Sequence, residues 1–407
     1  MGAINSGDTA WVLIATALVL LMVPALAFFY GGMVRRKNIL STLNLSFVMM
    51  ALLSIQWVLF GYSLVFGPDH GGLIGGLKYF GLSGVGTAPN PQYAATIPHL
   101  AFALFQMMFA IITPALITGA FVERVRFKTF LVFALIWATL IYDPVAHWVW
   151  GAGGIFRTLG ALDFAGGTVV HITAGYSALA FAIVIGARKG FGSRTFEPHN
   201  IPYSVLGAGL LWVGWFGFNG GSALAANGIA VNAVVTTNTA AAAAGLVWMF
   251  LSWLDNKPSV LGIITGAVVG LVAITPAAGY VTPLSAMAIG AVAAPISYYA
   301  IKFRQRRNLD ESLDVWACHG IGGTWGALAT GLFASKAVNP AGANGLFYGN
   351  PHQFFIQLLT VAVTIIFAFG MTLLITKLLS RFMSLRVSAD EEEVGLDISE
   401  HGEQAYA

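Results

Sequence analysis

Charge is scarce in this chain. Only 9% of its 407 residues are Asp, Glu, Lys or Arg, against roughly 25% in an average soluble domain. So few charges cannot cover a water-soluble globule of this length. Cysteine is scarcer still: Cys318 stands alone, which excludes an internal disulfide framework and leaves the compartment to be inferred by other means. No basic residue precedes Arg35. The apolar run 11–30 therefore lacks the positive flank of a cleaved signal peptide and reads as a true span. The opening MGAINS fits the loose N-myristoylation pattern, but the charge distribution below puts the N-terminus outside the cytosol, where that modification does not occur. The match is read as chance.

What the chain does have is apolar length. Hydrophobic residues make up 57% of it, and they fall in blocks of about 20, the number that crosses a bilayer as a helix. The blocks predict an all-α membrane protein of eleven transmembrane helices, at roughly 9–30, 39–66, 99–121, 127–143, 164–187, 202–221, 231–252, 259–275, 283–302, 315–335 and 352–383. Of the 20 basic residues, all but Lys78, Arg157 and Lys336 fall in the loops and end of one side. By the positive-inside rule the N-terminus is outside and the C-terminus cytoplasmic, in a multi-pass protein of the cell membrane.

An odd count suggests two inverted five-helix repeats, about 9–187 and 202–335, plus a C-terminal extra helix at 352–383. The landmarks correspond: span five opens at Asp163 and carries His171, span ten opens at Asp314 and carries His319. Inversion brings both histidines toward the midplane, where inverted-repeat transporters place their sites. Gly262, Gly266 and Gly270 recur every four residues, a spacing that lets helix backbones pack closely. Residues 1–383 read as one transmembrane domain. The tail 384–407 holds 7 of the 17 acidic residues and no long apolar run, and it reads as a cytoplasmic segment available for regulation.

Between Asp163 and Arg188 lie 24 uncharged positions, yet His171 sits about 12 Å into that stretch at the helical rise. It and His319 are the only histidines deep in spans. As glue between helices each imidazole would contribute about 1 kcal/mol. Ionisable groups inside membranes are more often functional, and these two are matched by the repeat. A metal would need further ligands, and no carboxylate or thiolate stands at helical spacing beside either histidine; Cys318, adjacent to His319, points to a different face. Asp163 and Asp314 both read as helix caps, favoured by the helix dipole. HWVWG (147–151) and LWVGWFGFNGGS (211–222) are aromatic clusters near one surface. Tryptophan there is ordinary interfacial anchoring, but two clusters converging with the Ser222 hydroxyl would attract a small cation by about 1–2 kcal/mol. LFQMMFA (104–110) adds Phe105 and Phe109.

With these residues assembled, the chain resembles the ammonium/methylammonium permease and Rhesus family along essentially its whole length. FQMMFA, HWVWG, the stretch from Asp163 to Arg188, GWFGFNGGS, DVWACHG and the tail GLDISEHGEQAY occur in the family's order. The resemblance implies a homotrimer with one pore per subunit. Trp150, Phe105 and Ser222 match its outer cation-recruiting site, and Phe109 and Phe218 its stacked gate. His171 and His319 match its twin pore histidines, Trp215 a pore-wall aromatic, and Asp163 the acidic residue under the outer vestibule. WACHG departs locally, placing Trp316 and Cys318 beside the second histidine. The tail fits the bacterial and archaeal branch better than the Rhesus branch and implies docking of a PII-type signalling protein.

Physics constrains the mechanism. Stripping water from an ammonium-sized ion costs roughly 20 kcal/mol in the idealised low-dielectric limit. Ammonium is therefore expected to lose its proton near the phenylalanines and cross as ammonia, with neutral imidazoles supplying hydrogen bonds along an apolar path and a route for the proton. Ammonium and methylammonium are the expected substrates, with no cofactor, metal, nucleic-acid partner or enzyme activity. A membrane enzyme would need a nucleophile or metal constellation that is not evident. An ammonium sensor signalling through the tail is the closer rival, and the lack of an added soluble domain favours transport.

Overall fold

The computed structural model describes residues 3–406; the Met1–Gly2 start of the myristoylation match and the last residue of the tail, Ala407, lie outside the described residues. Nine helices among the described residues are long and apolar enough to cross a membrane. They are α1 (Ser6–Met33), α2 (Arg36–Phe66), α3 (His99–Ala120), α4 (Phe127–Leu159), α5 (Gly167–Ile185), α6 (Ile201–Gly221), α7 (Gly228–Asp255), α9 (Pro283–Arg306) and α11 (Pro351–Phe382). Two shorter apolar elements complete the set: α8, Val260–Ile274, and α10, Trp316–Ile321 continuing as Gly322–Phe333. Side-chain oxygens open several of them, Asn5 accepting from Asp8 N and Ser259 from Gly262 N, and so satisfy amides that lack helical partners. Two small hairpins, Asp69–His70 with Ile74–Gly75 and Pro89–Asn90 with Ala94–Pro98, lie on the face opposite the basic loops.

The fourth block runs past its expected end at 143. Asp143 is buried and accepts from Gln56 Nε2 at 2.8 Å, so it does not mark a membrane surface. A π-turn, Ala138–Tyr142, precedes it. Pro144 then falls in the first turn of the resumed helix, where its missing N–H costs nothing. The helix reaches Trp150, and a short turn, Ile155–Leu159, follows the glycines after it.

Glycine sets how closely helices approach. A Cβ on Gly270 would stand 2.4 Å from Ala240 O, so α8 and α7 touch backbone to backbone as the four-residue spacing predicts. At Gly175 a Cβ would lie 2.0 Å from the Gly320 nitrogen. That contact brings α5 and α10 together beside both histidines. Each of these two helices opens with a π-turn, Gly167–Ile172 and Trp316–Ile321.

On the basic face, the loop residues do more than mark topology. Glu123 Oε1 accepts from Arg35 N, Arg35 Nε and Asn38 Nδ2, each at 2.9 Å, and its Oε2 accepts from Arg188 at 2.7 Å. Arg188 also grips Asp310 through three hydrogen bonds of 2.7–2.9 Å, one of them from its backbone N–H. Arg124, fully buried, donates to Gly186 O, Asp310 O and Ser312 Oγ. These groups join the first half of the chain to the second.

The tail is docked rather than solvated. Its helices α12 (Ala389–Val394) and α13 (Leu396–His401) place Glu392 against Lys189 N and Arg386, Asp397 against Ser41 N, and Glu400 against Arg126 and Phe127 N. Leu396 N donates to Asn38 Oδ1, and Tyr406 meets His199 at 3.1 Å.

Burial raises the Glu123 carboxyl's pKa, but Arg188 and Arg35 outweigh it and hold the group below its ordinary 4.5. Asp310 is likewise held below 3.8, burial being outweighed by the Arg188 hydrogen bond and the Arg124 charge. A depressed carboxylate stabilises the fold above its unfolded pKa, and that stability is lost as pH falls through the folded value. Thermal melts should therefore be insensitive to these groups at neutral pH and fall below about pH 4.5. Glu123→Gln should lower stability at neutral pH by about 3–5 kcal/mol, because it leaves buried guanidinium charge uncompensated, and should flatten the acid limb. An unchanged acid limb in this variant would exclude Glu123 as its source.

Candidate functional site

A cavity of about 600 Å³ opens on the face opposite the basic loops, bordered by Phe109, Trp150, Asp163 and Ser222. Trp150 ends the long run of α4, and its Nε1 donates to Asp163 O at 3.0 Å. That bond ties the aromatic ring to the loop before α5. Ser222, just past α6, donates to Phe218 O at 2.8 Å, so its oxygen keeps lone pairs for another donor. Phe105 behaves otherwise. It is fully buried, edge-on to Phe109 with ring centroids 5.0 Å apart, and it does not border the cavity. One residue on, Gln106 does border it, and its Oε1 is buried without a partner. Reading FQMMFA for its rings alone passed over the one polar side chain in it. Arg157, taken only as a topological exception, donates to Trp150 O and lies over the Tyr93 ring at 5.6 Å.

Beneath the cavity Phe109 and Phe218 meet at 4.4 Å between centroids, tilted by 50°. Phe109 also meets Trp150 edge-on at 5.9 Å. Past these rings lies a small enclosed cavity of about 10 Å³, walled by Met22, Leu26, Ile112, Leu116, Leu211 and Val268 with Trp215, Phe218 and both histidines. That is room for about one water-sized molecule. The Trp215 ring stacks on His171 at 5.5 Å and is fixed by its Nε1–H bond to Thr275 Oγ1 at 2.9 Å.

The histidine Nδ1 atoms stand 3.2 Å apart. A bond between two ring nitrogens needs one hydrogen: one Nδ1 donates and the other accepts. The accepting ring must then carry its proton on Nε2, while the donating ring leaves Nε2 bare. The neutral pair thus offers one N–H and one lone pair, and His171 Nε2 is buried without a protein partner. His319 also borders a second cavity, of about 280 Å³, on the basic-loop side. Cys318 borders it too. Among the described residues no group of three or more His, Cys, Asp or Glu is placed to hold a metal ion.

The two carboxylates expected to cap α5 and α10 differ. Asp163 accepts from the amides of Gly166, Gly167, Thr168 and Val169 at 2.7–3.1 Å and so caps the π-turn that carries His171. Asp314 does not cap α10. It pairs with Arg304 at 2.8 Å in a left-handed backbone position, φ 60°. Glu311 caps that turn, accepting from Val315 N at 2.8 Å and Trp316 N at 3.2 Å. Both caps lie eight residues before their histidine, so Glu311, not Asp314, stands where Asp163 does. That equal spacing was visible in the sequence, but a second acid nearer the helix start drew the assignment to Asp314.

The family model described as the Ammonium Transporter Family matches residues 10–406. Ammonium transporter Amt1 of Archaeoglobus fulgidus is 51% identical over 402 residues, covering 99% of this chain and 100% of that one. Among solved structures, Candida albicans Mep2 superposes with a TM-score of 0.90 at 37% identity, covering 95% of this chain and 88% of its own. A sensor Amt protein superposes with a TM-score of 0.90 at 32% identity, covering 97% and 98%. Matched across nearly its full length and half identical to a relative over that span, the chain belongs to the ammonium transporter family.

Proposed function

We propose that this protein captures ammonium in the cavity opposite the basic loops, removes a proton near Phe109 and Phe218, and conducts ammonia past His171 and His319 to the other side. The observation that carries this reading is the imidazole pair, 3.2 Å apart, in a small cavity otherwise walled by apolar side chains. Ammonia donates and accepts hydrogen bonds, and the pair presents one N–H and one lone pair to meet it. A hydrated cation does not fit a space of about 10 Å³. A bare one would forgo hydration worth roughly 20 kcal/mol in the idealised limit. The imidazoles also give the released proton a route, since a shared hydrogen can change owner.

In this reading α8 and α10 cross with the nine longer helices, making eleven spans in two inverted repeats and one extra. The basic loops face the cytosol, and the N-terminus lies outside the plasma membrane. Methylammonium is carried as well. The subunit assembles as a homotrimer, consistent with exposed apolar side chains such as Leu254, Leu284, Ile366 and Phe382. The docked tail relays contact between subunits and helps receive a PII-type protein at the basic-loop mouth. Proteoliposomes decide the main point: ammonium-driven current measured beside internal pH reports transport, whereas binding without either signal would favour a sensor, as one structural relative is named.

Two variants test the parts. Trp150→Leu removes an aromatic face worth about 1–2 kcal/mol to a desolvated cation, so apparent affinity for methylammonium should fall by about 5- to 30-fold with maximal uptake little changed; unchanged affinity would remove Trp150 from the capture site. Truncation at Val394 deletes the contacts of Leu396, Asp397, Glu400 and Tyr406. It should lower uptake and abolish PII binding, and a truncated protein normal in both would reduce the tail to a passive end.

A further inference from the structure

Outside the pore, two more π-turns are linked. Trp57–Gly61 lies in α2 and Ala138–Tyr142 in α4. Gln56 immediately precedes the first and Asp143 immediately follows the second, and Gln56 Nε2 donates to Asp143 Oδ2 at 2.8 Å. Both residues are buried, Asp143 completely. A Cβ on Gly61 would stand 2.5 Å from Gln56 Oε1, so the glycine makes room for the folded-back amide. Three oxygens here are buried without a hydrogen-bond partner: Gln56 Oε1, Asp143 Oδ1 and the Tyr142 hydroxyl. None of the ion pairs among the described residues includes Asp143.

We propose that Asp143 is a carboxylic acid, its proton held between Oδ1 and Gln56 Oε1, which makes this cluster an intramembrane proton site separate from the ammonia lumen. A carboxylate and an amide oxygen both accept, so as an ion Asp143 leaves two bare acceptors. One proton satisfies both, closing a ring of Oδ1–H···Oε1 and Nε2–H···Oδ2 bonds. A buried acid without a positive partner takes up a proton rather than remain charged, and the groups beside it, Gln56, Thr139 and Tyr142, carry no charge. Buried acids in membrane spans mark proton-handling sites, and π-turns recur at functional positions. Tyr142, next to Asp143 in the chain, is fully buried and its hydroxyl lacks a hydrogen-bond partner. In this proposal its hydroxyl relays the proton to and from Asp143.

The test is infrared difference spectroscopy on the full chain in phosphatidylcholine vesicles at neutral pH. A protonated-carboxyl C=O band is expected in the parent, absent from Asp143→Asn and moved to higher frequency in Gln56→Leu, whose acid has lost its partner. Asp143→Asn keeps both ring bonds, with its amide N–H on Gln56 Oε1, so its melting temperature should match the parent's. An Asp143-dependent carboxylate band in place of the acid band overturns the proposal. If Asp143→Asn does not fold, an acid band that stays put in Gln56→Leu overturns it equally. Deuterium exchange of the band should slow several-fold in Tyr142→Phe, and an unchanged rate excludes the relay. These readouts are vibrational, so they fail or succeed independently of whether ammonium is transported.

Discussion

Replacing either buried histidine, as His171→Leu or His319→Leu, is expected to reduce ammonium-dependent uptake in proteoliposomes to background while the protein remains folded. The two quantities separate because different things are lost. A histidine acting as glue between membrane helices contributes about 1 kcal/mol, which lowers the melting temperature by no more than a few degrees. A histidine acting on the permeant is half of a hydrogen-bonding surface. Removing either ring destroys the 3.2 Å bond and leaves the remaining imidazole unpaired in an apolar tube. Ammonia then crosses the narrowest part of the lumen with fewer partners, and the proton loses its route. His171→Glu keeps a titratable group in place and should restore part of the flux. Uptake and thermal stability are measured on the same purified variants. Normal uptake in both leucine variants would make the pair a packing element and remove the mechanism proposed here.

Gly175→Ala is expected to abolish uptake as well, by a route that costs stability. The new Cβ would stand 2.0 Å from Gly320 N, 2.3 Å from Gly320 Cα and 2.9 Å from His319 C. All three are backbone atoms, so no side chain can swing away. The strand of chain carrying His319 must move, and a shift of half an ångström or so is enough to break the histidine contact. Overpacking of a close-packed site typically costs about 1–3 kcal/mol, and a contact against backbone belongs at the upper end. Gly370→Ala is the control. Nothing lies within 4 Å of its Cβ position, and alanine in a helix interior is favoured over glycine by about 0.5–1 kcal/mol. Uptake and melting temperature should therefore survive Gly370→Ala and fall together in Gly175→Ala. A Gly175→Ala protein that transports normally would show that α5 and α10 can separate without disturbing the pair.

How much of this was legible beforehand follows from the range of the interactions involved. Apolar length is a local property that lipid enforces residue by residue, so the nine long apolar helices could be read from hydropathy alone, and the burial of His171 and His319 followed from their places inside two apolar blocks. Family membership was legible for the same reason, since the motifs are contiguous. Where partners are remote, the sequence was silent or misleading. Asp143 looked like a boundary because its partner, Gln56, lies 87 residues away. Arg124 and Arg188 looked like loop charges because Asp310 lies 186 and 122 residues from them. Where the acidic tail docks was not legible, because the amides and guanidinium groups it meets belong to loops near residues 40, 126 and 189. Phe105 and Gln106 were told apart only by the rotation of α3 against its neighbours, which turned the ring inward and the amide to the cavity. Hydropathy records which segments leave water, but it carries no information about which buried polar atoms meet. That is set by helix rotation and by backbone approaches as close as that of Gly175 to Gly320, which exist only once the two halves have packed.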